Sequence, residues 1–113
     1  MNFNEYQQTA LSTAEYPDKG NNMVYPALGL AGEAGETVDK IKKIYRNRNV
    51  TSGKQITADE HMALVKEMGD VLWYIAALAS ELRVSLEHVA ETNIDKLLDR
   101  RARGVIKSEG DNR

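Results

Sequence analysis

Four carboxylates stand in two pairs of identical spacing, Glu33 with Glu36 and Glu67 with Asp70. Residues three apart share one face of a helix, so each pair can present two acids to the same point. Four converging acids repel one another. Either their pKa values rise or a cation sits among them. Oxygen-only ligands favour a hard divalent ion, Mg²⁺ or Mn²⁺, octahedral and partly hydrated, with positions left for substrate phosphates. Each pair alone reads first as a solvated helix flank, and Glu36 with Lys40 is an ordinary i, i+4 surface pair. The repetition is what points to a site.

The elements that must position these acids are helical. The pattern predicts an all-α chain with helices over about 2–14, 26–46, 57–82 and 85–103. Pro26 suits a first helical residue. Thr57 and Glu60 form a capping box, Ser85 is an N-cap, and Gly104 is a C-terminal stop. The polar loop 47–56 is expected to be the most flexible segment, and 104–113 is a polar tail on a single domain, 1–113. On the third helix, Leu64, Met68, Val71, Leu72, Ile75, Ala79 and Leu82 make an apolar stripe. Glu67, Asp70, Tyr74 and Glu81 lie to one side of it. On the second, Leu30, Ala34, Val38, Ile41 and Tyr45 make the stripe, flanked in the same sense by Glu33, Glu36, Lys40 and Lys43. If these two helices pack antiparallel, the four acids converge.

Gly29, Gly32 and Gly35 interrupt the second helix, each costing about 1 kcal/mol relative to alanine. Together they form a bare flank that a neighbouring helix or a bulky ligand can approach. They are not a phosphate-cradling loop, because they follow no strand and lack the GxGxxG spacing. The third helix is apolar nearly all round: Trp73 and Ala76, with small Gly69 and Ser80, lie opposite the leucine stripe. A helix apolar on every side is buried on every side, which a chain this short achieves by self-association. Trp73 reads either as core packing or as a nucleobase contact. On the fourth helix, Asn93 lies within the stripe of Leu86, Ala90 and Leu97. Its amide would orient a carboxylate, touch a ligand or make a structural hydrogen bond, with Lys96 and Arg100 beside it.

Composition narrows the classes. The chain has 113 residues, a net charge of −2 and no cysteine. That excludes disulfides and thiolate chemistry, and no global field favours nucleic acid or an anionic membrane. The N-terminus lacks a signal pattern, and the apolar run 71–79 is too short for a bilayer. A reducing cytoplasm is expected. His61 and His88 form no ExxH pairs of the di-iron kind. The basic run RRARGVIK has no interleaved aromatics, so stable nucleic-acid binding is not expected.

The segments YPALGLAGEAGETVDKIKK and LVKEMGDVLWYIAALASEL, in that order, resemble the MazG-like nucleoside triphosphate pyrophosphohydrolases, all-α enzymes marked by an ExxE pair and a later ExxD pair. NIDKLLDRR resembles that family's helix carrying Asn and Lys, here Asn93 and Lys96. The ending RGVIKSEGDNR is similar to the tail of small bacterial and phage members. The resemblance covers most of residues 3–113. One departure is the thirty residues, 37–66, between the acidic motifs, at the long end of the usual spacing and absorbed by the 47–56 loop.

The resemblance implies hydrolysis of a nucleoside triphosphate between its α and β phosphates. Glu33, Glu36, Glu67 and Asp70 would hold Mg²⁺, with Mn²⁺ as a substitute, and a carboxylate such as Glu36 would accept a proton from the attacking water. Lys40, Lys43 or Lys96 would neutralise the leaving pyrophosphate, and Asn93 would contact substrate. Gln7, Gln8, Tyr6 and Trp73 are candidates for base recognition. A four-helix bundle-like fold assembled as a homodimer or dimer of dimers is implied, in the cytoplasm of a bacterium or of a phage's host. The alternative is a nucleotide-binding or helical interaction module that keeps the fold without turnover.

Overall fold

The computed structural model describes residues 1–107 and 109–112, and among these it contains four helices and no strand. They are α1 (Phe3–Ser12), α2 (Val24–Arg48), α3 (Ala58–Glu81) and α4 (Leu86–Ala102). The ends follow from local chemistry. Asn2 caps α1 by accepting from Glu5 N at 2.8 Å. Thr57 and Glu60 cap α3 reciprocally, side chain to backbone in both directions. Ser85 Oγ accepts from His88 N to open α4, and Gly104, at φ +71°, turns the chain after it. The second helix runs past its expected ends. It begins before Pro26, where Asn22 Oδ1 takes the Tyr25 N–H, and it closes on left-handed Asn49.

The dominant packing is the α2–α3 hairpin. Its far end is tied by a fork from Arg48, whose Nη1 and Nη2 reach Glu60 Oε2 and Oε1 at 2.6 and 2.7 Å. The 47–56 connection folds back there, bringing half-buried Val50 and Ile56 beside Ile44 and Leu64. Arg48 holds the Glu60 carboxyl down at about 2. A depressed folded-state value contributes stability above the ordinary carboxylate range and loses it as pH falls toward 2. Glu60→Gln should therefore lower the thermal midpoint near pH 7. The gap to wild type should narrow steadily in a melting series between about pH 4.5 and pH 2.

At the other end α1 lies across α3 and α4, and Gln7 is the hub. Its Nε2 donates to Ser80 Oγ and Val84 O at 2.9 and 3.1 Å, and its Oε1 accepts from Leu86 N at 2.7 Å. Both donors and one acceptor site of this buried amide are spent on joining α1 to the α3–α4 turn. Gln7 is therefore a structural residue, and its assignment to base recognition is corrected.

α2 and α4 do not pack on each other. The four helices expected from the sequence are present, but within one chain they stay open. The Cα radius of gyration is 16.9 Å, against roughly 13 Å for a compact chain of this size. The faces of α3 are also exchanged relative to expectation. Ala76 is fully buried and Ser80 lies under α1, so that side is the intrachain core. The stripe of Met68, Val71, Leu72 and Ile75 instead lines an open apolar groove of about 660 Å³ with Ala34 and Val38. Met68 is 62 % exposed and Val38 65 %. Asn93 is exposed rather than buried. The reason is common to both: no α4 lies along α2 to cover them.

Candidate functional site

Antiparallel pairing of α2 and α3 sets Glu33 opposite Glu67 and Asp70. One carboxylate oxygen from each of the three lies within 4.8 Å of the others. Glu33 and Glu67 are half-buried and Asp70 is exposed. Oε2 of Glu33 and Oε2 of Glu67 are both buried without a hydrogen-bond partner among the described residues. Burial pushes the Glu33 carboxyl up, and the adjacent Glu36, Asp70 and Glu67 push it further. Orphaned acceptors and mutual repulsion are features that a divalent cation, held by these oxygens, would offset.

Glu36 stands apart from this trio. It contacts Glu33 electrostatically but lines the outer side of α2 with Gly32, Gly35, Asp39, Lys40 and Lys43. Lys40 Nζ is 3.6 Å from Glu67 Oε1, so this lysine already balances part of the acidic charge. Lys43 is held by Asp39 at 2.8 Å, as is Lys42. Asp39 drew no notice in the sequence, since a lone acid among lysines on a helix looks like surface.

Beside the trio is a cleft of about 350 Å³ lined by Thr13, Glu33, Asp70, Trp73 and Tyr74. Trp73 is half-buried there. Its Nε1 donates to Thr13 Oγ1 at 2.9 Å, and its ring meets Tyr74 edge-on with centroids 5.0 Å apart. Thr13 and Tyr74 are lining residues that sequence reasoning did not assign to substrate. Tyr74 was legible as part of the acidic stripe, whereas Thr13, at the end of α1, carried no signal. Burial and then the charge of Asp70 raise the Tyr6 hydroxyl, which puts Tyr6 near the same acids. Gln8 is exposed on α1.

An aromatic wall supports the cleft. Tyr16 stacks on Tyr25 with centroids 4.9 Å apart, and Tyr25 leads on to Tyr74. Glu81 anchors it: Oε1 accepts from Tyr16 Oη at 2.7 Å and from Gly20 N at 2.8 Å. Burial and this carboxylate push the Tyr16 hydroxyl up to about 12. Glu81 thus pins the α1–α2 linker. Glycine is needed at 29 because a Cβ there would fall inside the Tyr74 ring, whereas Gly32 and Gly35 face open space.

The α4 residues lie elsewhere. Neither Asn93 nor Lys96 lines the cleft or the groove beside Glu36. Lys96 instead meets Asp111 of the tail at 3.1 Å.

The model of the MazG nucleotide pyrophosphohydrolase domain matches residues 26–105, from the first turn of α2 to just beyond α4. The chain is also similar to Gene 37 protein of Mycobacterium phage L5, 42 % identical over 118 aligned positions covering both proteins completely. No solved structure matches it. With that span enclosing Glu33, Glu36, Glu67 and Asp70, the chain belongs to the MazG nucleotide pyrophosphohydrolase domain family.

Proposed function

We propose that this protein hydrolyses nucleoside triphosphates to the monophosphate and pyrophosphate, with Mg²⁺ held by Glu33, Glu67 and Asp70 and Mn²⁺ as a substitute. The observation that carries this reading is the oxygen trio within 4.8 Å, drawn from two helices, with two of its acids holding buried, unpartnered oxygens. The donor set fits a hard divalent ion, being all carboxylate with one exposed member through which phosphate can arrive. When bound, the ion supplies charge neutralisation for phosphate and activation of water.

The remaining work falls to side chains. A water oxygen attacks the α phosphorus, the bond from that phosphorus to the bridging oxygen breaks, and pyrophosphate leaves with the electron pair. Glu36, beside Glu33 yet outside the trio, accepts the water's proton. Lys40 turns from Glu67 toward the departing phosphates, with Lys43 next along the same flank. Trp73 and Tyr74 wall the cleft where a base and sugar would lie, while a substrate role for Asn93 and Lys96, which line neither cavity, rests on the family resemblance alone.

The apolar groove of Val38, Met68 and Ile75 supports self-association, as a homodimer or homotetramer. Leaving so large a patch open is uncommon in a monomer. The paired substitution Val38→Asp with Met68→Asp should lower the mass found by sedimentation to that of one chain. Among the described residues no helix is long and apolar enough to cross a membrane. The phage relative fits a place of action in the host cytoplasm. The direct test is pyrophosphate release from a panel of ribo- and deoxynucleoside triphosphates with Mg²⁺ or Mn²⁺. Release from at least one of them, absent under chelation, is expected. A panel with no turnover would leave a nucleotide-binding module instead.

A further inference from the structure

The linker 13–23, between α1 and α2, is fastened to α3 at two points. At its start, Thr13 Oγ1 accepts from Trp73 Nε1 at 2.9 Å and donates to Ala10 O at 2.7 Å. Further along, Tyr16 Oη and Gly20 N both donate to Glu81 Oε1, at 2.7 and 2.8 Å. The other Glu81 oxygen, Oε2, is buried. The Tyr16 hydroxyl first, then the amides of Gly20 and Asn22, hold this carboxyl below its ordinary range although burial pushes it up. Glu81 is thus a charged acceptor at neutral pH, the stronger kind. No helical ladder holds the linker, which turns through left-handed backbone at Asp18 and Gly20. Its place over α3 is set by these two fastenings. Tyr16 is almost fully buried and lies face to face with Tyr25, whose ring meets Tyr74 with centroids 6.5 Å apart. Packed rings transmit displacement, so moving Tyr16 moves the wall of the cleft. Glu81 follows Asp70 by eleven residues, about three turns and 16 Å along the helix. It is too far away to touch a phosphate held at Asp70.

We propose that Glu81 is a positioning residue for nucleoside recognition: it fixes Tyr16, and through Tyr16 the linker and the Tyr25–Tyr74 wall, at the spacing that grips the nucleoside end of a nucleotide. This rests on the proposed function for the identity of the ligand, while the fastening belongs to the chain itself. Aromatic faces bind most tightly when they are held in place before the ligand arrives, since ordering them afterwards subtracts from affinity. The polar groups at this end of the cleft are largely committed to one another, Trp73 Nε1 to Thr13 and the Thr13 hydroxyl to Ala10 O. What the wall offers a base is ring face, so stacking holds it and the placement of the rings decides how well. Loss of Glu81 therefore loosens the grip on the nucleoside and leaves the distant acidic trio in place.

The test is calorimetric titration of the full chain, in Mg²⁺, with a panel of α,β-methylene ribo- and deoxynucleoside triphosphates. Inorganic tripolyphosphate serves as the ligand that lacks a nucleoside. Glu81→Ala should bind the nucleotides about tenfold more weakly and tripolyphosphate within about twofold of wild type. Tyr16→Phe keeps the ring and loses the hydroxyl, and should weaken nucleotide binding by about three- to tenfold. Glu81→Gln keeps one acceptor oxygen and should recover part of the loss. Trp73 is the only tryptophan, so acrylamide quenching of its fluorescence should rise from wild type through Glu81→Gln to Glu81→Ala as the linker loosens. In turnover assays KM should rise while kcat changes by less than about twofold, the pattern of lost uniform binding. Circular dichroism identifies any loss of helix, and if Glu81→Ala fails to fold, Tyr16→Phe decides. Nucleotide affinity unchanged in the folded variants would overturn the proposal. So would an equal loss for nucleotides and tripolyphosphate, which marks general damage to the fold. Nucleotide binding without turnover in wild type, with the ranking of variants intact, would remove the hydrolysis and keep the role of Glu81. Turnover with unchanged affinities in the variants would do the reverse, and a wild type that binds no nucleotide would remove both.

Discussion

Asp70→Asn should lower turnover by a factor on the order of 10² to 10³ or more, the scale of losing one preorganised electrostatic contact in a reaction centre. Its effect on the metal-free protein should run the other way. In the folded chain Asp70 stands with Glu33 and Glu67 at ligand spacing, and its charge helps push the Glu33 carboxyl up. Neutralising it relieves repulsion, so the thermal midpoint without divalent ions should rise slightly. The increment in midpoint produced by Mg²⁺ in wild type should shrink or vanish in the variant. Opposite signs for stability and activity are characteristic of a site whose charges are assembled for a ligand and strain the fold. The pH dependence follows the same logic. A raised folded-state carboxyl favours the fold below its unfolded value and loses that contribution as pH rises through the folded one. Metal-free protein should therefore lose stability above the ordinary carboxylate range through Glu33, and saturating Mg²⁺ should remove that loss. A midpoint series against pH with and without Mg²⁺ reads this directly.

Gly29→Ala should be destabilising, while the chemically identical Gly32→Ala and Gly35→Ala should stabilise the isolated chain. A Cβ at 29 overlaps the Tyr74 ring, and at 32 and 35 it meets nothing within 4 Å. Overpacking at a contact of this kind costs about 1–3 kcal/mol, more than the roughly 1 kcal/mol that alanine contributes in a helix interior. Tyr74 cannot swing aside freely, because Trp73 and Tyr25 contact its ring. The strain would force α2 away from α3 at the level of Glu33. Gly29→Ala should therefore lose metal-dependent stabilisation as well as several degrees of thermal midpoint. At 32 and 35 the gain of helix propensity, about 0.5–1 kcal/mol each, should appear in urea unfolding as a shifted midpoint at unchanged slope. If those two alanines instead weaken nucleotide binding, the open flank of α2 is where the ligand approaches.

The three glycines show what can and cannot be read before the fold is known. Their spacing marks a bare flank, but only the structure separates the one filled by Tyr74 from the two left open. The ends of α3 and α4 were legible because they are local: Thr57 with Glu60, Ser85 and Gly104 each act within four residues. The meeting of Glu33 with Glu67 and Asp70 was legible for a related reason, as one hairpin decides it. Gln7 was not, because its role depends on Ser80, Val84 and Leu86, more than seventy residues away. Asn93 shows the opposite failure. Its stripe predicts burial if a fourth helix closes a bundle, and α4 instead leaves α2 uncovered. A helical wheel says which residues share a face but not what covers it. That also explains why Ala76 and Met68 exchanged places between core and surface.

The most direct measurement is diffraction from crystals grown with Mn²⁺, using its anomalous signal to place the ion. The account predicts a peak in inner-sphere contact with carboxylate oxygens of Glu33, Glu67 and Asp70, absent from crystals of Asp70→Asn. Ordered Mn²⁺ elsewhere on the molecule, with those three carboxylates bound only to water, would contradict it.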